Sequence, residues 1–201
     1  MPAPDRRTRL SPDERRRQLV AIGVGMLADR PLEAISIEAL AEEAGVSRGS
    51  VFRYFGSKPG LHHELVSTAR DALMHATEPR RELAPHERLL DTISRFVTFS
   101  VEHRATFYSL VRGAAAADAT VRAIVDEVRD AQTERLLEVF GDLGVEATPR
   151  LRLGLRAWVS LAEQALVDEA ATTVFSHSEL AAFLVGSAEA VAGLTGSVRA
   201  G

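Results

Sequence analysis

Cysteine is absent from this chain, so neither disulfides nor thiolate metal sites are available, and a cytoplasmic location is the natural expectation. Lysine is nearly absent too: Lys58 stands alone against twenty-three arginines. No apolar run is long enough to span a bilayer. The nearest candidate, Leu19 to Ala28, follows an arginine-rich leader, but Asp13 and Glu14 interrupt that leader and no small-x-small cleavage site follows. Strand-like alternation, internal repeats and low-complexity tracts beyond the alanines at 114–117 are missing, which leaves an all-α reading. Catalytic signatures are missing as well. The six histidines are scattered without metal-ligand spacing, and the adjacent His62 and His63 point in different directions on a helix. With no nucleophile elbow or phosphate loop either, the chain is not expected to be an enzyme or to need a cofactor or metal.

What is present is ordinary globular composition, 46% apolar and 26% charged, with an uneven balance of charge. Residues 1–60 carry a net +2 and residues 61–201 a net −6, as expected of a part that meets a polyanion joined to one that does not. Residues 1–10 read as a flexible basic tail, either a solvated end or an arm touching phosphates. Ser11 then opens a helix: Pro12 takes the first helical position, and Ser11 with Glu14 forms a capping box. Leu19, Ile22 and Met26 with Val20, Val24 and Leu27 give it an apolar stripe, and Pro31 ends it. Gly23 to Ala28 matches the loose dinucleotide fingerprint, but no strand precedes it and the glycines fall inside a helix, so the match is spurious.

The most informative stretch runs from Ser36 to Lys58. Ser36 caps a short helix with Ile37, Leu40, Ala41 and Ala44 on its inner face, and Gly45 supplies the left-handed residue that ends it. Ser47 caps a second helix, Arg48 to Phe55, which gives Val51, Phe52 and Phe55 to the core and leaves Arg48, Gly49, Ser50, Arg53 and Tyr54 outside. Gly56 closes it, and Ser57 caps a longer helix from Lys58 to about Ala76. Helix, glycine turn and helix make a helix-turn-helix. Its outer face suits DNA: Arg48 can reach guanine edges, Ser50 a base or phosphate, and Arg53, Tyr54 and Lys58 phosphates. A cation at a helix N-terminus opposes the dipole, so an external phosphate is the better reason for Lys58. Two residues run against the pattern. Glu38 puts a negative charge near the same face, and Gly60, after Pro59, weakens the start of the third helix.

These sixty residues resemble the DNA-binding domain of the TetR/AcrR family of bacterial regulators. The matching residues are Ser36-Ile37 with Leu40-Ala41, Ala44-Gly45-Val46-Ser47, Gly49-Ser50-Val51-Phe52 and Tyr54-Phe55-x-Ser57-Lys58. The resemblance implies that Arg48, Gly49 and Ser50 face bases and that Ser36, Ser47, Arg53, Tyr54 and Lys58 hold phosphates. Phe52 is also counted in the DNA-contacting set. It further implies about nine helices, with a helix-turn-helix domain over 11–60 and a ligand-binding and dimerisation domain over 61–201.

Within 61–201 the expected helices are 86–104, 106 to about 116 with a break near Gly113, 120–140, 149 to about 170 and about 178 to 194. The family's habit is to pair chains through the last two. Both are rich in small residues (Ala162, Ala165, Ala181, Ala182, Gly186, Ser187, Ala188, Ala192), although packing within one chain would use the same pattern. A homodimer would set two recognition helices about 34–36 Å apart on a palindromic double-stranded DNA operator. A small-molecule effector pocket is the family's other habit. Met74, Phe96, Phe99, Phe107, Tyr108 and Trp158 are the candidates to line it, or else simply to fill the core. The implied function is a soluble transcriptional repressor released from its operator by a hydrophobic effector. The rival reading, a helical adaptor for acidic proteins, would show no salt-sensitive duplex binding.

Overall fold

A computed structural model describes residues 10–172 and 174–195; the basic tail expected over 1–10 lies, apart from Leu10, outside the described residues. Nine α-helices are present among them, with no strand: α1 Pro12–Met26, α2 Ile37–Glu43, α3 Arg48–Phe55, α4 Lys58–Ala76, α5 Pro85–Glu102, α6 Arg104–Val111, α7 Ala119–Asp142, α8 Pro149–Thr172 and α9 His177–Thr195. Single 3₁₀ turns at Leu32–Ala34 and Ala114–Ala117 precede α2 and α7. None of these helices is long and apolar enough to cross a membrane.

The helix starts follow from local chemistry. At α1 both bonds of the capping box form: the Glu14 N–H donates to Ser11 Oγ at 3.2 Å and the Ser11 N–H to Glu14 Oε2 at 2.7 Å. Ser36, Ser47 and Ser57 cap α2, α3 and α4 in the same way, accepting from Ala39, Ser50 and Gly60. Gly45 turns the chain between α2 and α3 with φ +64°, where a side chain would be strained. Gly23 and Gly25 lie within α1, as the rejection of the dinucleotide motif requires. A Cβ at Gly23 would stand 2.7 Å from Leu65, so this glycine lets α1 and α4 pack closely.

Two clusters of buried side chains hold the molecule together. The first joins Leu19, Leu40, Val51 and Phe55 of α1–α3 to Leu61, Leu65 and Val66 of α4, and it also takes Ala115, Val121 and Ile124. The second is built from α5, α7, α8 and α9 around Ile93, Val97, Leu137, Leu155, Trp158 and Leu184. Packing thus runs continuously from the helix-turn-helix into α4 and the start of α7. The buried stripe of α5 is narrow: Leu89, Ile93 and Val97 face the core while the neighbouring Leu90 is exposed.

Gly60 has a structural reason that its helix propensity hides. A Cβ there would meet the Phe55 carbonyl oxygen at 2.2 Å, a backbone atom that cannot step aside. Gly60 therefore lets the start of α4 fold back against the end of α3. Gly60→Ala is expected to lose about 1–3 kcal/mol of stability, read from urea denaturation, even though alanine is the better helix former. A stabilised variant would contradict this account.

Candidate nucleic-acid interface and the cavity behind it

The outer surface of α3 presents Arg48, Gly49 and Arg53 to solvent, with Ser50 and Tyr54 half-buried beside them. Gly49 has open space around it, with nothing within 4 Å of an added Cβ, so no contact inside the chain requires a glycine there. Ser36 and Ser47 spend their hydroxyls on capping, and Tyr54 packs partly on the first cluster with the Arg53 guanidinium 5.3 Å from its ring centre.

Three side chains differ from expectation. Phe52 is 47% exposed, so it does not belong to the core with Val51 and Phe55; the Arg48 guanidinium lies 6.0 Å from its ring centre. The periodicity of an eight-residue helix is too short to settle which of three apolar positions stays outside. Arg48 is not free: its Nε donates to the Glu38 carboxylate, an ion pair with both side chains well exposed. That pair holds the Glu38 carboxyl below its ordinary value. Lys58, finally, has an acceptor within the chain, since its Nζ donates to the Glu33 carbonyl at 2.6 Å. An external phosphate is therefore not the sole explanation for a cation at that helix start.

A cavity of about 120 Å³ lies among α1, α4, α5, α6, α7 and α8. Its walls come from Val24 of α1, Leu27 just beyond it, Val66 and Leu73 of α4, and residues of α5, α6, α7 and α8. Of the aromatic candidates, Phe96, Phe99 and Phe107 line it, and the first and last of these meet edge to face at 6.1 Å. Trp158 lines a smaller neighbouring cavity of about 40 Å³ while donating its Nε1–H to Ser187 Oγ at 2.9 Å. The structure does not place the other two with them: Tyr108 is 55% exposed on the outer side of α6, and Met74 lines neither cavity.

Sequence reasoning passed over the polar residues of this region. Ser100 and Glu163 interrupt the apolar stripes of α5 and α8 and prove to be buried in the cavity wall. A polar residue at a core position of an amphipathic helix was the available signal. Glu163 is matched by Arg129, whose Nη2 donates to it at 2.7 Å. Glu33 left no such signal. Its carboxylate accepts from Ser109 Oγ and from the Ala115 N–H, both at 2.7 Å, tying the turn before α2 to α6 and the turn after it. Thr106 Oγ1 adds a second tie, donating to the Leu27 carbonyl at 2.7 Å. The short helix α6 thus lines the cavity with Phe107 and Leu110 and grips the first three helices with Thr106 and Ser109.

On the far side, α9 buries Leu180, Ala181, Leu184, Val185, Ala188 and Ala192 within its own chain. Four of the small residues expected between chains, Ala162, Ala181, Ala188 and Ala192, therefore serve packing inside one chain. The opposite side of α9 shows Ala182, Phe183, Gly186, Ala190, Gly193 and Leu194 to solvent, and α8 adds Leu153 and Leu161.

Comparison with known proteins agrees with this architecture. Residues 19–65 match the family profile described as bacterial regulatory proteins, tetR family, and residues 85–191 match the tetracyclin repressor-like C-terminal domain. The HTH-type transcriptional activator FasR of Mycolicibacterium smegmatis is 30% identical over 152 residues, which cover 71% of this chain and 66% of FasR. The HTH-type transcriptional repressor KstR2 of the same organism is 35% identical over 71 residues, 35% of this chain and 34% of KstR2. Among solved structures, a tetR-family transcriptional regulator from Streptomyces coelicolor superposes with a TM-score of 0.83 at 30% identity, over 92% of this chain and 83% of that one. With both halves matched, and in order, the chain belongs to the TetR family of bacterial regulatory proteins.

Proposed function

We propose that this protein is a sequence-specific, DNA-binding transcriptional regulator that works as a homodimer on a palindromic operator and is released by a small hydrophobic effector. Residues 11–60 would serve as the DNA-binding part and residues 61–201 as the effector-binding and pairing part. The observation that carries the reading is the outer face of α3. Arg48, Arg53 and an unobstructed Gly49 lie together on a helix whose opposite side is anchored by Val51 and Phe55. Such a helix can enter a major groove while the caps on either side keep it rigid. The related proteins include one named an activator and one named a repressor. We take repression, because a regulator that an apolar ligand removes from its site is most simply one that blocks transcription while bound. Genomic footprinting followed by a reporter fused to the occupied site tests both parts. Absence of salt-sensitive duplex binding would remove the DNA reading in favour of an adaptor, and reporter loss on deletion of the gene would reverse the sign.

The Arg48–Glu38 pair gives that interface a specific behaviour. In the unbound protein the guanidinium that would read a guanine is occupied by a carboxylate, so binding exchanges Glu38 for a base edge. Arg48→Ala is expected to weaken operator binding by about 1–3 kcal/mol and to relax preference at one base pair per half-site. Glu38→Gln should act in the opposite direction, tightening binding to every duplex and narrowing the gap between operator and random sequence. Competition mobility shifts measure both, and unchanged base preference in Arg48→Ala would assign Arg48 to phosphate instead.

A further inference from the structure

Two hydroxyls on α5 are left without partners in places where they should have them. Ser100 is only 2% exposed, and neither its Oγ nor Thr92 Oγ1 touches solvent or any hydrogen-bond partner. A helical serine or threonine ordinarily donates to the carbonyl four residues back, as Thr68, Thr77, Thr98 and Thr133 do in this chain. Thr92 and Ser100 do not, although that carbonyl is within reach of any helical hydroxyl. Each lines a cavity: Ser100 the larger, Thr92 the smaller. Those cavities adjoin, because Phe96, Gln132 and Val159 belong to the walls of both.

We infer that the two cavities are one elongated site for an uncharged, mostly apolar molecule with a hydrogen-bonding group at each end, one met by Ser100 and the other by Thr92. This rests on the proposed effector reading and specifies its ligand. Eight residues of helix separate the two hydroxyls by about 12 Å along the axis, which sets the spacing of the ligand's polar ends. The absence of charge follows from the walls. Glu163 is matched by Arg129, and Arg70 by Asp71 and Glu127. Arg135, in the wall of the smaller cavity, donates to the Met74 and Thr77 carbonyls at the end of α4, where the helix dipole favours a cation. No arginine or carboxylate of the walls therefore asks for a counter-ion from the ligand, and His103, the remaining ionisable group of the larger wall, lies against Phe99 with ring centres 4.4 Å apart. Phe96, half-buried and common to both walls, is the side chain that must turn for one molecule to occupy the full length.

Calorimetric titration of the full chain with straight-chain alcohols tests this. The probes are terminal diols from hexanediol to dodecanediol, each paired with the monoalcohol and the carboxylate of equal length. One diol length is expected to bind at least about tenfold tighter than its monoalcohol, the worth of one satisfied hydroxyl in a dry site. Ser100→Ala and Thr92→Val should each erase that advantage while still binding the monoalcohol, which shows that the variants remain folded. Both should also melt no lower than the parent, since each removes a buried group that lacks a partner. Equal affinity for diols and monoalcohols at every length would overturn the two-ended site and leave the effector reading intact. A carboxylate that outbinds the diol would overturn the uncharged assignment. Failure of every alcohol to bind would overturn the effector reading along with it.

Discussion

Phe183→Arg is expected to leave the chain folded but monomeric at micromolar concentration, and to weaken binding to a full operator by about 10²–10⁴-fold while hardly changing binding to a half-site. Phe183 is 58% exposed, so within one chain little packing is lost by replacing it. The same helix pair shows more apolar surface to solvent: Leu194 is 76% exposed, Leu153 on α8 is 71% exposed, and Gly186 and Gly193 have nothing within 4 Å of an added Cβ. An apolar, small-residue helix face of this kind is what a second helix pair can approach closely. In a two-fold dimer every contact occurs twice, so burying one phenylalanine per chain contributes about 3–6 kcal/mol. The arginine removes that contribution and adds a positive charge to each chain's side of the contact. Light scattering gives the mass, and mobility shifts on full and half operators give the coupling between the two sites. A variant that remains a dimer would move the interface away from α9.

How far the sequence reached depended on how local each cause was. Capping serines, the left-handed Gly45 and the apolar stripe of α1 act through neighbours a few residues away, and all could be read from the residues themselves. Helix ends shift by a residue or two where no side-chain cap marks them, as at α5, which runs Pro85–Glu102, whereas α6 ends at Val111, beside the break expected near Gly113. The reason for Gly60 is not local, since the Phe55 carbonyl is an atom brought close only by the turn between α3 and α4. Lys58 and Arg48 suit DNA by residue type and position, yet both have partners in the chain, at Glu33 and Glu38, that no spacing rule would supply. The small residues of α8 and α9 show a different limit. Periodicity marks a helix face as packed without saying whether its neighbour belongs to the same chain, and Ala162, Ala181, Ala188 and Ala192 turned out to face their own core. The cavity follows the same logic: Phe96, Phe99 and Phe107 were within reach of a search for aromatics, whereas Ser100 and Thr92 matter only because nothing pairs with them.

Glu33→Ala is expected to lower stability by about 2–3 kcal/mol and to uncouple the cavity from the helix-turn-helix. Its carboxylate accepts two charge-assisted hydrogen bonds, from Ser109 Oγ and the Ala115 N–H, and removal takes the acceptor away from a donor on each of two buried residues. Some solvent still reaches the carboxylate, which keeps the loss at the lower end of what two such bonds can contribute. The same residue's carbonyl holds Lys58 at the start of α4, so a shift of α6 on ligand binding would be passed through one residue to the helix that follows the recognition helix. Burial by itself would raise the Glu33 carboxyl; the hydrogen bonds from its own backbone, Ser109 and Ala115 outweigh that and hold it below the ordinary value. The sign of the pH effect follows. A depressed carboxyl contributes its full stabilisation above the unfolded value of about 4.3 and loses it as pH falls through the lower folded value. The stability gap between the parent and Glu33→Ala should therefore be widest near neutrality and close in acid. Glu33→Gln, which can still accept one hydrogen bond and donate another but carries no charge, should lie between them with a gap that also shrinks in acid as the parent loses its charge. Urea denaturation across pH gives the gap, and hydrogen exchange at the Ala115 amide reports the tie itself. An amide equally protected in Glu33→Ala would mean that α6 is held to the first three helices by Thr106 and by the Leu32 N–H on Ser109 Oγ, without the carboxylate.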